Sequence, residues 1–101
     1  GLESELPVLT LAQPLEQLLQ ESMQQDASAI EPGLAERMHQ SIAEWVERQQ
    51  GQGQTPVLLV PQGIRASLAR FLRYAAPGLH VLAYNEVPQG KQLKLVGAVG
   101  V

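Results

Sequence analysis

A continuous apolar run near the middle of the chain limits the possible folds more than any other feature. Residues 56–60 have the sequence PVLLV, and an uninterrupted aliphatic run of this length is typical of a strand buried on both faces of an α/β sheet. Pro61 and Gly63 form a turn, and a second apolar run, HVLAY, begins at His80. The spacing predicts one helix between two strands, which makes a right-handed parallel β-α-β unit.

The helix of this unit is predicted over residues 62–76, where Pro77 and Gly78 end it. At about 100° per residue, its apolar side chains fall within one arc. They are Ile64, Leu68, Phe71, Leu72 and Ala75. Three arginines, Arg65, Arg70 and Arg73, fall on the opposite side. This pattern predicts a helix with one buried face and one charged, solvated face.

The first half of the chain predicts one short strand and two further helices. Residues 7–11 form the strand, and Pro14 suits the first position of the first helix. That helix has Leu15, Leu18, Leu19 and Met23 on one face. A break over residues 25–33 follows. The second helix is predicted from Pro32 to about residue 50, with a face of Leu34, Met38, Ile42, Trp45 and Val46.

The last strand is predicted over QLKLVGAV, after a turn at residues 85–90. A connection this short favours an antiparallel return beside HVLAY, which is a C-terminal hairpin. We therefore expect an α/β fold with a small mixed four-stranded sheet and about three helices. All 101 residues fit one α/β subdomain. Because the first residue is Gly1 rather than Met, we expect it to be a piece of a longer protein.

Composition excludes several classes of function. Apolar residues make up 45% of the chain and charged residues 17%, as in globular domains. The absence of cysteine excludes disulfides, thiolate catalysis and cysteine-ligated zinc. No apolar run approaches the roughly 18–20 residues of a membrane-spanning helix.

Charge is divided unevenly along the chain. Residues 1–54 carry nine acidic side chains and two arginines, a net charge of −7. Residues 55–101 carry five basic side chains and one glutamate, a net charge of +4. The asymmetry is consistent with a protein partner, and equally with attraction between the two halves of the domain.

Side chains capable of catalysis or metal binding are few and scattered. His39 and His80 are the only histidines, Asp26 is the only aspartate, and no serine lies in a G-x-S-x-G motif. The glutamates Glu31, Glu36 and Glu86 have polar neighbours, which predicts solvated carboxylates. We predict no catalytic, cofactor-binding or metal-binding residue, and we expect the chain not to be an enzyme.

Two alternatives remain. The turn VPQGIR (60–65) joins a buried strand to a helix, where α/β folds often bind anions. A small ligand-binding or enzyme domain using this turn predicts a pocket with convergent polar groups at the ends of PVLLV and HVLAY. The arginine face also permits RNA binding, but three arginines in a chain with net charge −3 and 4% aromatics favour no nucleic acid.

The sequence from PVLLV to the C-terminus resembles the C-terminal end of the FlhA (FHIPEP) family of flagellar type III export gate proteins. The matching positions are Val57–Val60, Ile64, Arg65, Leu68, Arg70, Phe71, Leu72, Leu79, Val81, Leu82, Tyr84, Asn85, Glu86, Pro88 and 95–100. Upstream, LPVLTL, PLEQLL and IEPGLAERM resemble further family segments. Ala83 and Gln13 depart from the usual Ser and Asp. The NEVP sequence favours the flagellar branch over the equivalent subdomain of a virulence injectisome export gate.

The resemblance implies the last cytoplasmic subdomain of a large inner-membrane protein, on the cytoplasmic side of the bacterial inner membrane. The implied partners are other subdomains and subunits of a gate ring, export chaperone–cargo complexes and components of the cytoplasmic ATPase complex. The implied role is a non-catalytic interaction subdomain that helps to form, open and close a docking platform, with no cofactor. The resemblance supplies no contact residue. The exposed arginine face and the polar turn after HVLAY instead predict that Arg65, Arg70, Arg73, Tyr74, Asn85 and Glu86 contact partners.

Overall fold

Alternating strands and helices account for most of the chain in a computed structural model, which describes residues 4–23 and 30–101. The elements are β1 (Glu5–Leu11), α1 (Gln13–Met23), α2 (Pro32–Gly51), β2 (Val57–Val60), α3 (Gln62–Leu72), β3 (His80–Ala83) and β4 (Gln92–Val99). A 3-10 turn, Tyr84–Glu86, follows β3. Most of the break predicted between the first two helices, including Asp26, lies outside the described residues.

The four strands form one sheet in the order β3-β2-β1-β4, and every neighbouring pair is parallel. The α/β class, the four strands, the three helices and the parallel β2-α3-β3 unit are confirmed. The C-terminal hairpin and the mixed sheet are wrong. β4 lies at the opposite edge from β3, where it pairs with the whole of β1, from Glu5↔Gln92 to Leu11↔Val99.

The position of β4 follows from the length of β1. β3 offers four residues for pairing, whereas β1 offers seven. Pairing with β1 therefore allows a longer ladder and buries Val99 in the core. The connection between β3 and β4 crosses the sheet face opposite the helices, where Val87 packs against a cluster of Val8, Val57 and Leu59. Loop length alone did not distinguish this crossing from a hairpin.

The helices cover the other face of the sheet. Leu9 and Leu11 of β1 and Leu58 and Val60 of β2 lie in the same core cluster as the apolar faces of the three helices. All four residues of β2 are buried, which confirms the prediction of a strand enclosed on both faces. The main core therefore lies between the sheet and the helical layer, with a smaller cluster beneath the Val87 connection.

Local details differ from the predicted helices in two places. α3 ends at Leu72 rather than near residue 76, because the amide of Arg73 bonds to the carbonyl of Arg70 in a tighter turn. Leu18, predicted on the buried face of α1, is 43% exposed. Leu15 and Leu19 occupy the centre of that face, so Leu18 lies at its margin and lines a surface groove of about 250 Å³ with Val101.

β4 has exposed leucines as well as buried residues. A register shift opposite Val8 and Leu9 places Gly97 beside Leu9, on the helical side. The indole of Trp45 lies over Gly97 and packs against the core cluster. Trp45 therefore has the packing role that its position on the apolar face of the helix predicts. Leu93 and Leu95 pair with Leu6 and Val8 on the other face, where they are 49% and 64% exposed.

Candidate interaction surface

Polar side chains gather where β1, β2 and β3 end. In a parallel sheet the carboxyl ends of the strands share one edge, so residues that immediately follow the strands meet there. We call this group the carboxyl-edge cluster; its members are Glu16, Gln62, Arg65, Tyr84, Asn85 and Glu86. Each makes a hydrogen bond or an ion pair within the group or with the adjoining backbone.

Glu86 is the centre of the cluster. Its Oε1 accepts a hydrogen bond from the backbone N–H of Ala83 at 2.8 Å and lies 3.1 Å from Nε of Arg65. The two side chains of the ion pair are 38% and 42% exposed, so solvent screens their attraction. The bond to Ala83 occupies a backbone donor at the end of the edge strand β3, and the ion pair ties this turn to α3.

Two further bonds attach the same turn to the helices. The Asn85 amide donates from Nδ2 to Oε1 of Gln62 at 3.1 Å, and the Tyr84 hydroxyl donates to Oε1 of Glu16 at 3.3 Å. Partial burial raises the pKa of Tyr84, and the nearby Glu16 carboxylate raises it further, because both disfavour the phenolate. The turn after β3 is thus joined to α1 and α3 at once.

The six residues predicted to contact partners fall into two groups. Arg65, Asn85 and Glu86 belong to the carboxyl-edge cluster, with side chains bonded to one another or to Gln62. The other three, Arg70, Arg73 and Tyr74, are exposed at the opposite end of α3. Arg65 therefore does not form one free stripe with the other arginines.

His39 has a structural role. Its ring lies 4.4 Å from the ring of Phe71, and Nε2 is 3.1 Å from the Phe71 carbonyl oxygen. Since a carbonyl only accepts, Nε2 is the protonated nitrogen and donates this bond. The contact joins α2 to α3. Within residues 4–23 and 30–101, no group of three or more His, Cys, Asp or Glu side chains is arranged to hold a metal ion.

Comparison with known proteins places these features in a family. The model of the FHIPEP family matches residues 1–92. The chain belongs to the FHIPEP family. A putative flagellar export/assembly protein LfhA of Escherichia coli O44:H18 is 39% identical over 96% of the chain. The flagellar biosynthesis protein FlhA is 39% identical over 99% in Proteus mirabilis and 36% over 95% in Salmonella typhimurium.

This FHIPEP chain corresponds to a small part of those relatives. It spans 15% of the LfhA sequence and 14% of each FlhA sequence. Solved structures share its fold: nonameric EPEC SctV-C superposes with a TM-score of 0.72 at 24% identity, over 98% of this chain and 30% of that chain. The Shigella flexneri MxiA protein gives 0.70 at 15% identity, over 98% of this chain and 32% of its own.

An enzyme domain that used the VPQGIR turn would have a pocket with convergent polar groups at the carboxyl edge of this FHIPEP chain. Gln62 and Asn85, which follow β2 and β3, bond to each other. Two surface grooves lie elsewhere, one beside α1 and one beside the C-terminal end of α3. In the part of the chain that the structure describes, no helix combines the length and apolarity needed to cross a membrane.

Three members of the cluster, Glu16, Gln62 and Tyr84, were not among the residues predicted to contact partners. Glu16 and Gln62 each lie one turn or less into the helix that follows a strand. The positions of the predicted strand ends were therefore the signal that could have indicated these two residues. Glu31 was predicted to be a simple solvated carboxylate. It is exposed, but it also caps α2 by accepting from the N–H groups of Gly33 and Leu34 at 2.8 and 3.1 Å.

Proposed function

We propose that this chain is a non-catalytic interaction subdomain of the flagellar type III protein export gate. It would help to form the docking platform for export chaperone–cargo complexes and to open and close it. The observation that carries this proposal is the 39% identity to flagellar export and biosynthesis proteins over nearly the whole chain. Because those relatives are named for flagella, the flagellar assignment is favoured over a virulence injectisome.

The fold supports movement of the chain as one rigid unit. One core cluster contains residues from β1, β2, β4 and all three helices, so no element can separate without exposing apolar surface. The carboxyl-edge cluster also joins the turn after β3 to α1 and α3. A unit of this kind can swing against a neighbour about a hinge outside it, covering or exposing a docking surface.

The proposed partners are other subdomains and subunits of a gate ring, chaperone–cargo complexes and components of the cytoplasmic ATPase complex. The nonameric state of SctV-C, which shares the fold, supports a ring. The longer protein would lie in the bacterial inner membrane with this chain on the cytoplasmic side, consistent with the chain's being about one-seventh of the length of its relatives. Membership of a flagellar biosynthesis family supports a role other than catalysis.

A segment exchange tests the proposal. The matching segment of Salmonella typhimurium FlhA would be replaced by this chain, and swimming in soft agar and flagellin secretion would be measured. An equivalent subdomain should restore both at least in part. The control is a FlhA lacking the segment, which should restore neither. An expressed exchange protein that assembles but supports no secretion would contradict the proposed function.

The contact residues are tested in the same background. We expect Arg70→Glu/Arg73→Glu to reduce swimming while leaving the fold intact, because the substitutions reverse exposed charge at the end of α3 and leave the Arg65–Glu86 ion pair in place. Lys94→Glu, which reverses an exposed charge on β4, is the matched control. Unchanged swimming with this double variant would remove Arg70 and Arg73 from the contact surface.

A further inference from the structure

A groove of about 300 Å³ lies between the C-terminal end of α3 and the edge strand β3. Leu72 of α3, Leu79 of the connecting turn and Val81 of β3 supply apolar walls. Arg73 lies in the same lining. The volume suits one medium-sized apolar side chain together with part of the backbone that carries it.

The edge of β3 beside the groove directs backbone groups away from the sheet. The N–H of His80 bonds to the carbonyl of Pro56, so His80 faces β2. Successive residues of a strand direct their N–H and C=O groups to opposite sides, so Val81 and Ala83 face away from β2. Glu86 occupies the N–H of Ala83. Val81 thus remains to bond an added strand.

Positive charge lies at the C-terminal end of α3, where Arg73 lines the groove and Arg70 precedes it by three residues. Arg70 and Arg73 are exposed, and in the described ranges neither has a carboxylate within 4.0 Å, whereas Arg65 is paired with Glu86. Tyr74 is 87% exposed beside them. Arginine and tyrosine are enriched in protein interfaces, where they offer charge-assisted bonds and rigid contact area.

We propose that this groove binds an extended acidic peptide segment of another protein. The segment pairs its backbone with Val81, inserts one apolar side chain between Leu72 and Leu79, and places carboxylates against Arg70 and Arg73. Short strand addition at a sheet edge, with a pocket for alternate side chains, is an established mode of peptide recognition. The proposal rests on the proposed function for its biological setting, since it names the chemistry of one partner of the interaction subdomain.

Charge complementarity selects this occupant over two others. RNA would need a wider basic surface with more stacking aromatics than Tyr74 alone. A second copy joined edge to edge at β3 would bring Arg70 and Arg73 of both molecules together, which like-charge repulsion disfavours. An acidic segment satisfies both arginines and uses the apolar groove.

Fluorescence anisotropy on the 101-residue chain provides the test. The probe is a fluorescein-labelled peptide of alternating glutamate and leucine, and the control probe alternates lysine and leucine. We expect saturable binding of the acidic probe that weakens with added salt, and much weaker binding of the basic probe. Equal binding of both probes, or none of the acidic one, would overturn the proposal.

Variants locate the binding site. Arg70→Glu/Arg73→Glu should weaken binding about tenfold or more, and Lys94→Glu should leave it unchanged. Val81→Pro removes the outward N–H while keeping the bond from His80 to Pro56, and should also weaken binding, with circular dichroism checking that the fold survives the loss of the Val81 side chain from the core margin. Loss of binding with Lys94→Glu to the same extent would indicate nonspecific attraction and overturn the site.

Other outcomes separate the alternatives. Binding of labelled poly(U) without peptide binding, or a dimer in sedimentation that Arg70→Glu/Arg73→Glu dissociates, would overturn the peptide proposal in favour of RNA or a second copy. If the exchanged FlhA swims but the chain binds no acidic peptide, this inference fails while the proposed function stands. If the chain binds the acidic peptide but the exchanged FlhA does not swim, the proposed function fails while the peptide site stands.

Discussion

The indole of Trp45 lies so close to Gly97 that no side chain can fit between them. A Cβ atom on Gly97 would approach Cη2 of Trp45 most closely and would be 2.9 Å from Cζ2, both closer than real Cβ contacts allow. Arg48 makes a cation–π contact with the same ring, and its guanidinium carbon is 4.4 Å from the ring centroid. Gly97 therefore determines how closely α2 packs against the edge strand β4.

Gly97→Ala should lower the free energy of unfolding by about 1–3 kcal/mol, because the added methyl group displaces the indole. Urea unfolding followed by circular dichroism measures the loss. Combining the change with Trp45→Leu should recover part of the loss from Gly97→Ala, since the clash partner is then smaller.

Gly63→Ala is the matched control for that experiment. Gly63 lies near the start of α3, where an added Cβ would have no atom within 4 Å and the backbone φ is not positive. Alanine there should stabilise the chain by about 0.4–1 kcal/mol through the unfolded state. Similar destabilisation by both substitutions would show that the Trp45 contact is not the cause of the first effect.

Glu86 should contribute more to stability than its ion-pair partner Arg65. Glu86→Ala removes the acceptor of the Ala83 N–H as well as the ion pair, and should cost about 1–2 kcal/mol. Arg65→Ala removes a half-exposed pair and should cost about 0.2–1 kcal/mol.

A double-mutant cycle of Glu86 and Arg65 separates the two contributions. We expect a small coupling energy, and most of the effect of Glu86→Ala should persist in the Arg65→Ala background. If the two single variants lose the same stability and the double variant loses no more, the ion pair would be the main contribution and the backbone bond unimportant.

His39→Phe should test the bond between α2 and α3. Phenylalanine keeps a ring against Phe71 but cannot donate to its carbonyl, which leaves a partly buried acceptor without this bond. We expect a loss of about 1 kcal/mol by urea unfolding. Gln40→Phe, on an exposed position of the same helix, controls for the added apolar ring. Equal stability of His39→Phe and the natural chain would exclude a contribution from the hydrogen bond.

The central features of the fold were predictable because their signals are local. Residues 57–60 are aliphatic without interruption, and the strand they form is buried throughout. Ile64, Leu68 and Leu72 recur at helical spacing and are the buried residues of α3. In both cases the hydrophobic period alone indicates the element and its buried face.

The position of β4 could not be predicted in this way. A connection of eight residues between β3 and β4 permits a hairpin, and it also permits a crossing over the face that carries Val8 and Val57. The choice depends on pairing with β1, which is about eighty residues away in sequence. Long-range pairing of this kind leaves no mark on the period of either segment.

The carboxyl-edge cluster was half predictable for a similar reason. Asn85 and Glu86 attract notice because they lie in a polar turn between apolar runs. Glu16 and Gln62 are ordinary polar residues at helix starts, and their partners Tyr84 and Asn85 lie 68 and 23 residues away. Only the parallel order of β1, β2 and β3 brings them together.

Glu31 should make the stability of the chain depend on pH in the acid range. Its carboxylate accepts hydrogen bonds from the N–H groups of Gly33 and Leu34, which lower its pKa from the ordinary value of 4.5, with a further contribution from Arg37. The ionised form is thus favoured by folding. The resulting stabilisation is present above pH 4.5 and is lost as the pH falls through the lower pKa of the folded state.

Glu31→Gln removes the charge while keeping a side-chain acceptor. The melting temperature of this variant should be below that of the natural chain at about pH 7, and the two curves should converge as the pH falls through the lowered pKa of the folded state, where the natural carboxyl becomes protonated. Glu36→Gln, an exposed position of α2 without such backbone bonds, is the control and should show little difference at either pH. A gap between Glu31→Gln and the natural chain that stays constant down to the lowest pH would assign the effect to side-chain geometry rather than to charge at the start of α2.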